Sequence, residues 1–330
     1  MTTERLVQGS LWSESLFPNR RDQGLGAITW SHSRRELLER CARRYYYEYF
    51  GASAHFARAE PKKAVLGQLK RLQNRYERAG TILHLAIAAY LRAAGKGEVW
   101  TGDRLIRWAT GLLAADRAYS ATDPDGLAPP EQRFPPVLLR EYHYREKDAS
   151  EKVQEVEHRL TSALLAFLTD PVFADFRSAG SLSDALIETR LHLATLPCRV
   201  TGQIDLAYRR GERFTVVDWK MGIGDGSGDD SLQLAVYGLW AQVAHSVAVD
   251  LLNVYKAHLG GRVVQTFTVS HRLLSSARAR VLQDAERMAH VAPYGAAAIV
   301  DAFTPNPHQK VCELCNFQRV CPGGKAFLRD

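Results

Sequence analysis

Apolar positions along this chain change period part-way through it. Up to about residue 170 they recur at helical spacing. Leu66, Leu69, Leu72 and Tyr76, then Leu83, Ile87, Tyr90 and Leu91, fall on one face of a helix. This predicts a helix over Val65–Leu91, with Gly80 interrupting it and dividing it in two. An earlier helix is predicted over Ser31–Phe50, capped by Ser31 or Ser33. Leu105–Ala118 is amphipathic, Asp123–Pro136 holds five of the thirteen prolines and reads as a loop, and Val137–Thr169 is again helical in pattern. From Leu186 the pattern shortens to that of strands, at Leu186–Leu193, Cys198–Arg209 and Phe214–Lys220. A helix follows at Asp229–His245, strands at Leu251–His258 and Val263–Val269, and a helix at Leu273–His290. Strands alternating with helices predict an α/β fold, a mixed sheet flanked by helices. The expected division is an N-terminal helical part over residues 1–94, a helical insertion over 95–180, an α/β core over 181–300 and a cysteine-bearing segment over 301–330.

Composition places the chain among soluble globular proteins: 330 residues, 46% hydrophobic and 24% charged. The formal net charge is +7, which is compatible with a polyanionic partner. Basic residues concentrate early, at Arg34, Arg35, Arg40, Arg43 and Arg44, then at Lys62, Lys63, Lys70, Arg71, Arg75 and Arg78. Beside them lies the run Tyr45, Tyr46, Tyr47, Tyr49 and Phe50. Arginine neutralises phosphate and aromatic rings stack on bases, so these stretches raise a nucleic-acid interface. Met1–Ser15 carries no apolar core of a secretory signal, and no apolar run is long enough to span a bilayer. The expected compartment is a reducing cytoplasm. A phosphate-binding GxxxxGK[ST] loop is absent, so no ATP-driven motor is recognisable.

The strands around Gly211 can be put in register from their turn. A two-residue Gly211-Glu212 loop suits a type II′ hairpin and pairs Arg210 with Arg213. Asp205 then faces Asp218 on one side of the sheet, their Cβ atoms roughly 4.5–5.5 Å apart. Lys220 points the same way, with Gln203 opposite it. Two bare carboxylates there repel one another, and a divalent cation between them removes the conflict. Oxygen ligands suit Mg²⁺ or Mn²⁺, which activate water and neutralise a scissile phosphate. Lys220 could orient that water or neutralise charge developing in the transition state. His84, within an aliphatic helical stretch, is a further candidate. Gln233 and Tyr237, four apart on the following helix, are placed to orient substrate or Lys220. Glu188 reads as a strand-edge charge rather than a member of the metal shell.

Five cysteines in a non-secretory chain argue for metal binding over disulfides. Cys312, Cys315 and Cys321 form a C-x2-C-x5-C segment that lacks a fourth thiolate; Cys41 is the best candidate, ahead of His308. Such a set accepts either Zn²⁺ or an iron–sulfur cluster and would tie the two ends of the chain together. Cys198 reads as a buried thiol.

The ordered set His84, Gly202-Gln-Ile-Asp205, Asp218-Trp-Lys220 and Gln233-x3-Tyr237 resembles the RecB-like branch of the PD-(D/E)XK nuclease superfamily. Ser31-x-Ser33 leading to Cys41-Ala-Arg-Arg-Tyr45 also looks like that branch's first helix, with Ala42 in place of a proline. One early cysteine plus a C-terminal trio is the arrangement of its iron–sulfur members, AddB and the CRISPR adaptation exonucleases among them. The resemblance is loose over Ala27–Asn74, takes in the helix bearing His84, and is good over Leu186–Tyr255 and Phe303–Pro322. It implies a metal-dependent DNA nuclease acting on single strands or ends, in repair, recombination or antiviral defence, beside a helicase or defence complex. His84, Asp205, Asp218 and the Trp219 carbonyl would bind Mg²⁺ or Mn²⁺, with Lys220 the catalytic lysine. Cys41, Cys312, Cys315 and Cys321 would hold a structural [4Fe–4S] cluster. The competing expectations are a non-catalytic DNA-binding scaffold with the same fold, and an RNA-processing nuclease.

Overall fold

The computed structural model describes residues 25–52, 62–126, 134–177, 182–193, 195–224, 230–293 and 298–328. The Met1–Ser15 stretch, part of the proline-rich loop and the first residue of the Asp229–His245 helix lie outside them.

Six strands form one mixed sheet: β1 (Thr29–Trp30), β2 (Leu186–Leu193), β3 (Arg199–Arg210), β4 (Arg213–Lys220), β5 (Leu252–His258) and β6 (Val263–Phe267). Their order is β1-β3-β4-β5-β6, with β2 on the other edge of β3. β3 and β4 form the expected hairpin. Arg210 pairs with Arg213, and the ladder runs to Leu206↔Val217. Gly211 has φ +60° while Glu212 has no positive φ, which is the type II′ pattern. Beyond Leu206 the register would bring Asp205 to Asp218, but the β3–β4 ladder ends there; β2 pairs the opposite edge of β3 from Ala207 to Val200, and β1 takes up the β4-side edge at Arg199 and Val200. Gln203 pairs with Arg190 of β2 on that opposite edge and, lying past the end of the β3–β4 ladder, does not pair with Lys220.

Helices cover both faces. The chain order is α1 (His32–Arg40), α2 (Ala42–Tyr46), α3 (Lys62–Arg71), α4 (Arg75–Gly95), α5 (Gly102–Thr122), α6 (Arg140–His143), α7 (Ala149–Thr169), α8 (Ala174–Arg177), α9 (Ser231–His245), α10 (His271–Val291) and α11 (Gln309–Cys312). On one face α4, α5 and α7 share a core with Leu206, Tyr208, Val217 and Trp219 of the sheet. On the other, α1, α9 and α10 pack on Ile204, Ala207, Phe214, Val216 and Val254. The helical stretch after Gly95 thus supplies one layer of the core around the sheet.

Three helix boundaries differ from the expectation. The break after Val65 falls at Leu72–Asn74, not at Gly80, because Asn74 makes a capping box with Glu77 and starts α4 there. Gly80 continues α4; burial of Ile82, Leu83, Ala86 and Ile87 outweighs its roughly 1 kcal/mol propensity cost. The Ser31–Phe50 helix, capped by Ser31, breaks at Cys41, whose extended backbone takes the thiol out of the helical ladder. Val137–Thr169 is not one helix. Its first residues are spent on the α3–α4 junction, through Gln73 N→Leu138 O and Arg140 N→Gln73 O, and Arg145 at φ +55° separates α6 from α7.

The aromatic part of the stretch near the N-terminus is largely packed inside and Arg43 and Arg78 are buried, whereas Arg40, Lys70 and Arg71 are exposed and the side chains of Lys62 and Lys63 lie outside the described residues. Tyr45, Tyr46 and Phe50 pack on Phe303, and Tyr47 packs on Phe317. Arg43 is buried and donates to the Phe303 carbonyl at 2.7 Å. Arg78 is buried against Asp116 at 2.6 Å, and Arg34 stacks over Tyr49. These packed groups dock the C-terminal segment and the helices, which takes Tyr45, Tyr47, Arg43 and Arg78 out of any ligand-binding surface. No helix among the described residues is long and apolar enough to cross a membrane.

Candidate active site

Asp218 and Lys220 lie at the carboxyl end of β4, where β4 feeds α9 and returns as the parallel strand β5. Strand alternation sends Asp218 and Lys220 to one side and Trp219 to the other. Trp219, 1% exposed, is wedged edge-on between Phe167 and Phe176 of the helical layer. That anchor fixes the two charged side chains in a cleft of about 630 Å³. From α4 the cleft is lined by Tyr76, Gly80 and His84, each four residues from the next, with Glu77 and Thr81 beside them on the same face.

The carboxylates are built as follows. Asp205 accepts from the Trp219 backbone N–H at 2.8 Å and lies 3.2 Å from His84 Nδ1. Glu188 lies 3.6 Å from the same nitrogen, and Gln203 donates to its other oxygen. One ligand atom from each of His84, Glu188 and Asp205 falls within 4.8 Å of the others, a set able to hold a metal ion. Glu188 is therefore no isolated strand-edge charge. Its backbone sits at φ +51°, in a region that side-chain-bearing residues seldom adopt. Register places it across from Asp205, and at that pair both strands exchange faces. Ile187 and Leu206 join the α4–α5–α7 layer, whereas Leu191 and Ile204 join the other. Neither sequence pattern nor residue type signals this twist.

Asp218 is 2% exposed. Its Oδ2 lies 2.9 Å from Lys220 Nζ, and its Oδ1 accepts from the Tyr237 hydroxyl at 3.3 Å. Gln233 Nε2 donates to Tyr237 at 2.7 Å, and its Oε1 accepts from Lys220 at 3.4 Å. A closed chain of contacts from α9 thus sets both Asp218 and Lys220. Burial works to lower the Lys220 pKa, but the Asp218 carboxylate more than offsets it, and the ammonium is held above its usual range. Lys220 therefore stays charged in this cleft. Burial raises Asp205, with His84 opposing and the Asp218 charge adding to the rise. Burial disfavours protonated His84, yet Asp205 and Glu188 push the imidazole up to about 10. His84 gives up its proton to bind a metal; three carboxylates then face Lys220 alone, and the two surplus negative charges match a divalent ion.

A family model described as the PD-(D/E)XK nuclease superfamily matches residues 29–322. The chain belongs to the PD-(D/E)XK nuclease superfamily. Members of this PD-(D/E)XK group are generally nucleases that use divalent metals, which agrees with the acidic cleft. No curated protein matches the chain. Among solved structures, seven chains match. One, described as "Crystal structure of SSO0001", is 13% identical over 56% of this chain and 78% of its own, with a TM-score of 0.26; the superfamily assignment rests on the family model alone.

A second trio, His32, Glu36 and Asp230, lines the same cleft, and no motif in the sequence signals it. His32 and Glu36 lie one turn apart on α1, and Asp230 immediately precedes α9, its carboxylate turned to His32 and Lys256 and not to the helix N–H groups. Burial opposes protonation of His32, but Asp230 and Glu36 overcome it and push the ring up to about 9. His32 and then Lys256, 2.6 Å away, hold Asp230 well below the carboxylate range. Lys256 and the charged imidazole already neutralise these acids, so this trio reads as a latch between α1 and α9.

The four predicted cluster thiols also converge. Cys41 from the α1–α2 break and Cys312, Cys315 and Cys321 from the C-terminal segment line one small pocket with Arg44 and Tyr47. Burial pushes Cys315 up to about 11, with the Arg44 guanidinium opposing. Asn316 donates to the Leu72 carbonyl at 2.7 Å, and Tyr144 donates to the Asn316 carbonyl at 2.8 Å, tying the segment to the helical layer. A four-thiol donor set beside a guanidinium fits an anionic metal–thiolate centre. His308 is not among the lining residues of that pocket. Cys198 is 3% exposed in the core of the sheet's other face.

Proposed function

We propose that the cleft is the active site of a RecB-like, Mg²⁺- or Mn²⁺-dependent DNA nuclease acting on single strands or ends. The observation that carries the reading is the convergence of His84, Glu188 and Asp205 beside the Asp218–Lys220 pair. His84, Asp205 and Asp218 would hold the cation, joined by the Trp219 carbonyl and, from the geometry, by Glu188. When bound, the ion supplies Lewis-acid activation of water and neutralises the scissile phosphate. Lys220 presents its charge to the phosphate oxygens, and Asp218 and Gln233 fix its direction. Tyr237 holds Asp218 in place through its hydroxyl. Trp219 excludes water from behind the strand and, through its N–H, orients Asp205. Cys41, Cys312, Cys315 and Cys321 would hold a [4Fe–4S] cluster whose part is structural, fastening the C-terminal segment to α2 and α3. The chain would act in repair, recombination or antiviral defence, with a helicase partner supplying single strands.

The test is cleavage of end-labelled linear and circular DNA, single- and double-stranded, with RNA beside them, by wild type and Lys220→Ala from anaerobic preparations. Metal-dependent cutting of DNA that the variant lacks is the expected result. Cutting that survives Lys220→Ala or needs no metal overturns the assignment. A folded wild type that binds DNA and cuts nothing supports the scaffold reading, and preferential cutting of RNA supports the processing reading.

A further inference from the structure

The thiol pocket holds a cation whose hydrogen bonds are not all spent. Arg44 follows Cys41 by three residues, within the first turn of α2. It lines the pocket with Cys41, Cys312, Cys315 and Cys321, and it is the one cationic side chain among the described lining residues. Its side chain is 14% exposed. One arm is used, Nη2 donating to Glu77 Oε1 at 3.3 Å. Nε is buried and has no hydrogen-bond partner among the described residues. A buried guanidinium N–H without an acceptor is costly, and folded proteins leave few of them. Neutral thiols accept weakly, whereas thiolates on a metal carry charge and accept well.

Four thiolates outweigh the charge of a zinc ion or of a [4Fe–4S] cluster, so either centre is anionic. A guanidinium at its edge supplies the opposite charge. Glu77 fixes the direction of that guanidinium. Its Oε2 accepts the Asn74 backbone N–H at 3.2 Å, in the capping box that starts α4, and its Oε1 takes Arg44. Glu77 lines the catalytic cleft and not the thiol pocket. Its side chain is 43% exposed, so water screens the pair, which does not by itself account for burying the guanidinium. Coulombic attraction to Cys315 exceeds that to Glu77 or to Glu48.

We propose that Arg44 is a binding residue of the metal–thiolate centre: its Nε–H donates to a thiolate and its charge offsets that of the centre, while Glu77 holds the guanidinium in place. This rests on the reading that the four cysteines hold a metal, and it is the same for zinc and for an iron–sulfur cluster. Arg44 and Glu77 then connect the centre to the first turn of α4, the helix that brings His84 to the cleft.

The experiment measures, by elemental analysis, the metal that the anaerobically purified full chain keeps across a series of chelator concentrations. Wild type is compared with Arg44→Met, Arg44→Lys and Glu77→Gln, each checked for folding by circular dichroism. Arg44→Met keeps the aliphatic stem and all four thiols. It should give up its metal at about tenfold less chelator, the lower end for losing a group that hydrogen-bonds a metal ligand. Arg44→Lys restores the charge without the planar fork and should recover only part of that loss. Glu77→Gln keeps acceptors for Asn74 and Arg44 and should hold its metal as wild type does. Wild-type retention in Arg44→Met, or a Glu77→Gln variant that reproduces the loss, overturns the inference and leaves the metal centre standing. Should Arg44→Met not fold, Arg44→Lys decides, because a space-filling or ion-pairing role predicts wild-type retention there. A wild type that carries no metal and takes up neither Zn²⁺ nor iron overturns the metal-centre reading itself.

Discussion

Removing Lys220 should do two separable things. In Lys220→Met the Asp218 carboxylate, 2% exposed, keeps the Tyr237 hydroxyl at 3.3 Å but loses its cation at 2.9 Å. Breaking a buried pair from one side costs about 3–5 kcal/mol. The Lys220 side chain is 31% exposed, so solvent screens part of the pair and about 2 kcal/mol is expected. An unfolding entropy of roughly 2.1 cal/mol/K per residue over 330 residues gives about 0.7 kcal/mol/K, hence a Tm lowered by about 3 °C in EDTA. A divalent ion at the site supplies the missing positive charge, so Mn²⁺ should raise the Tm of the variant more than that of wild type. Cleavage should nonetheless fall by about 10²–10³ or more, because a charge aimed at the phosphate is gone. Scanning calorimetry in EDTA and in Mn²⁺, beside a cleavage assay, reads both. Equal Tm values in EDTA together with equal Mn²⁺ shifts would refute the claim that Asp218, Lys220 and the cation share one electrostatic site.

Glu188→Gln should leave the fold intact and weaken Mn²⁺ binding by about 10–100-fold, readable by titration calorimetry; unchanged affinity would return Glu188 to a surface role. Cys315→Ala should lose the iron and the visible absorbance of the purified protein and lower its solubility, whereas Cys198→Ala should keep the colour; iron analysis of both variants decides. His32 has its folded pKa raised from 6.5 to about 9, so the latch stabilises fully below about pH 6.5 and fades as pH rises through 9. The gap in unfolding free energy between wild type and His32→Gln, read from urea titrations, should therefore be widest near pH 6, on the order of 1 kcal/mol after solvent screening, and close by about pH 10. A gap that grows with pH would contradict the latch.

Much of the site was legible because local rules carried it. Alternation in β3 and β4 and the glycine at the turn fixed which residues face one another, so residue order alone set Asp205, Asp218 and Lys220 on one side of the hairpin. Gln233 and Tyr237 followed from one helical turn. What failed depended on partners distant in sequence. Tyr45 and Tyr47 looked like a stacking surface, and their rings are taken by Phe303 and Phe317. β1 is two residues long and exists only through β3. Gly80 resembled a break because the cap at Asn74 depends on a reciprocal bond to Glu77 that composition does not weigh. Glu188 was discounted because a left-handed backbone at a strand residue leaves no mark on hydrophobic pattern. The convergence of Cys41 with the C-terminal trio was expected from spacing and resemblance, and the four thiols do line one pocket.

The most direct test of a divalent ion working at the β2–β3–β4 junction is to locate one. Crystals soaked in Mn²⁺ should show an anomalous peak among His84, Glu188, Asp205 and Asp218, with Lys220 beside it. A peak confined to His32, Glu36 and Asp230, or no peak at the junction in a protein that cuts DNA with Mn²⁺, would contradict the account.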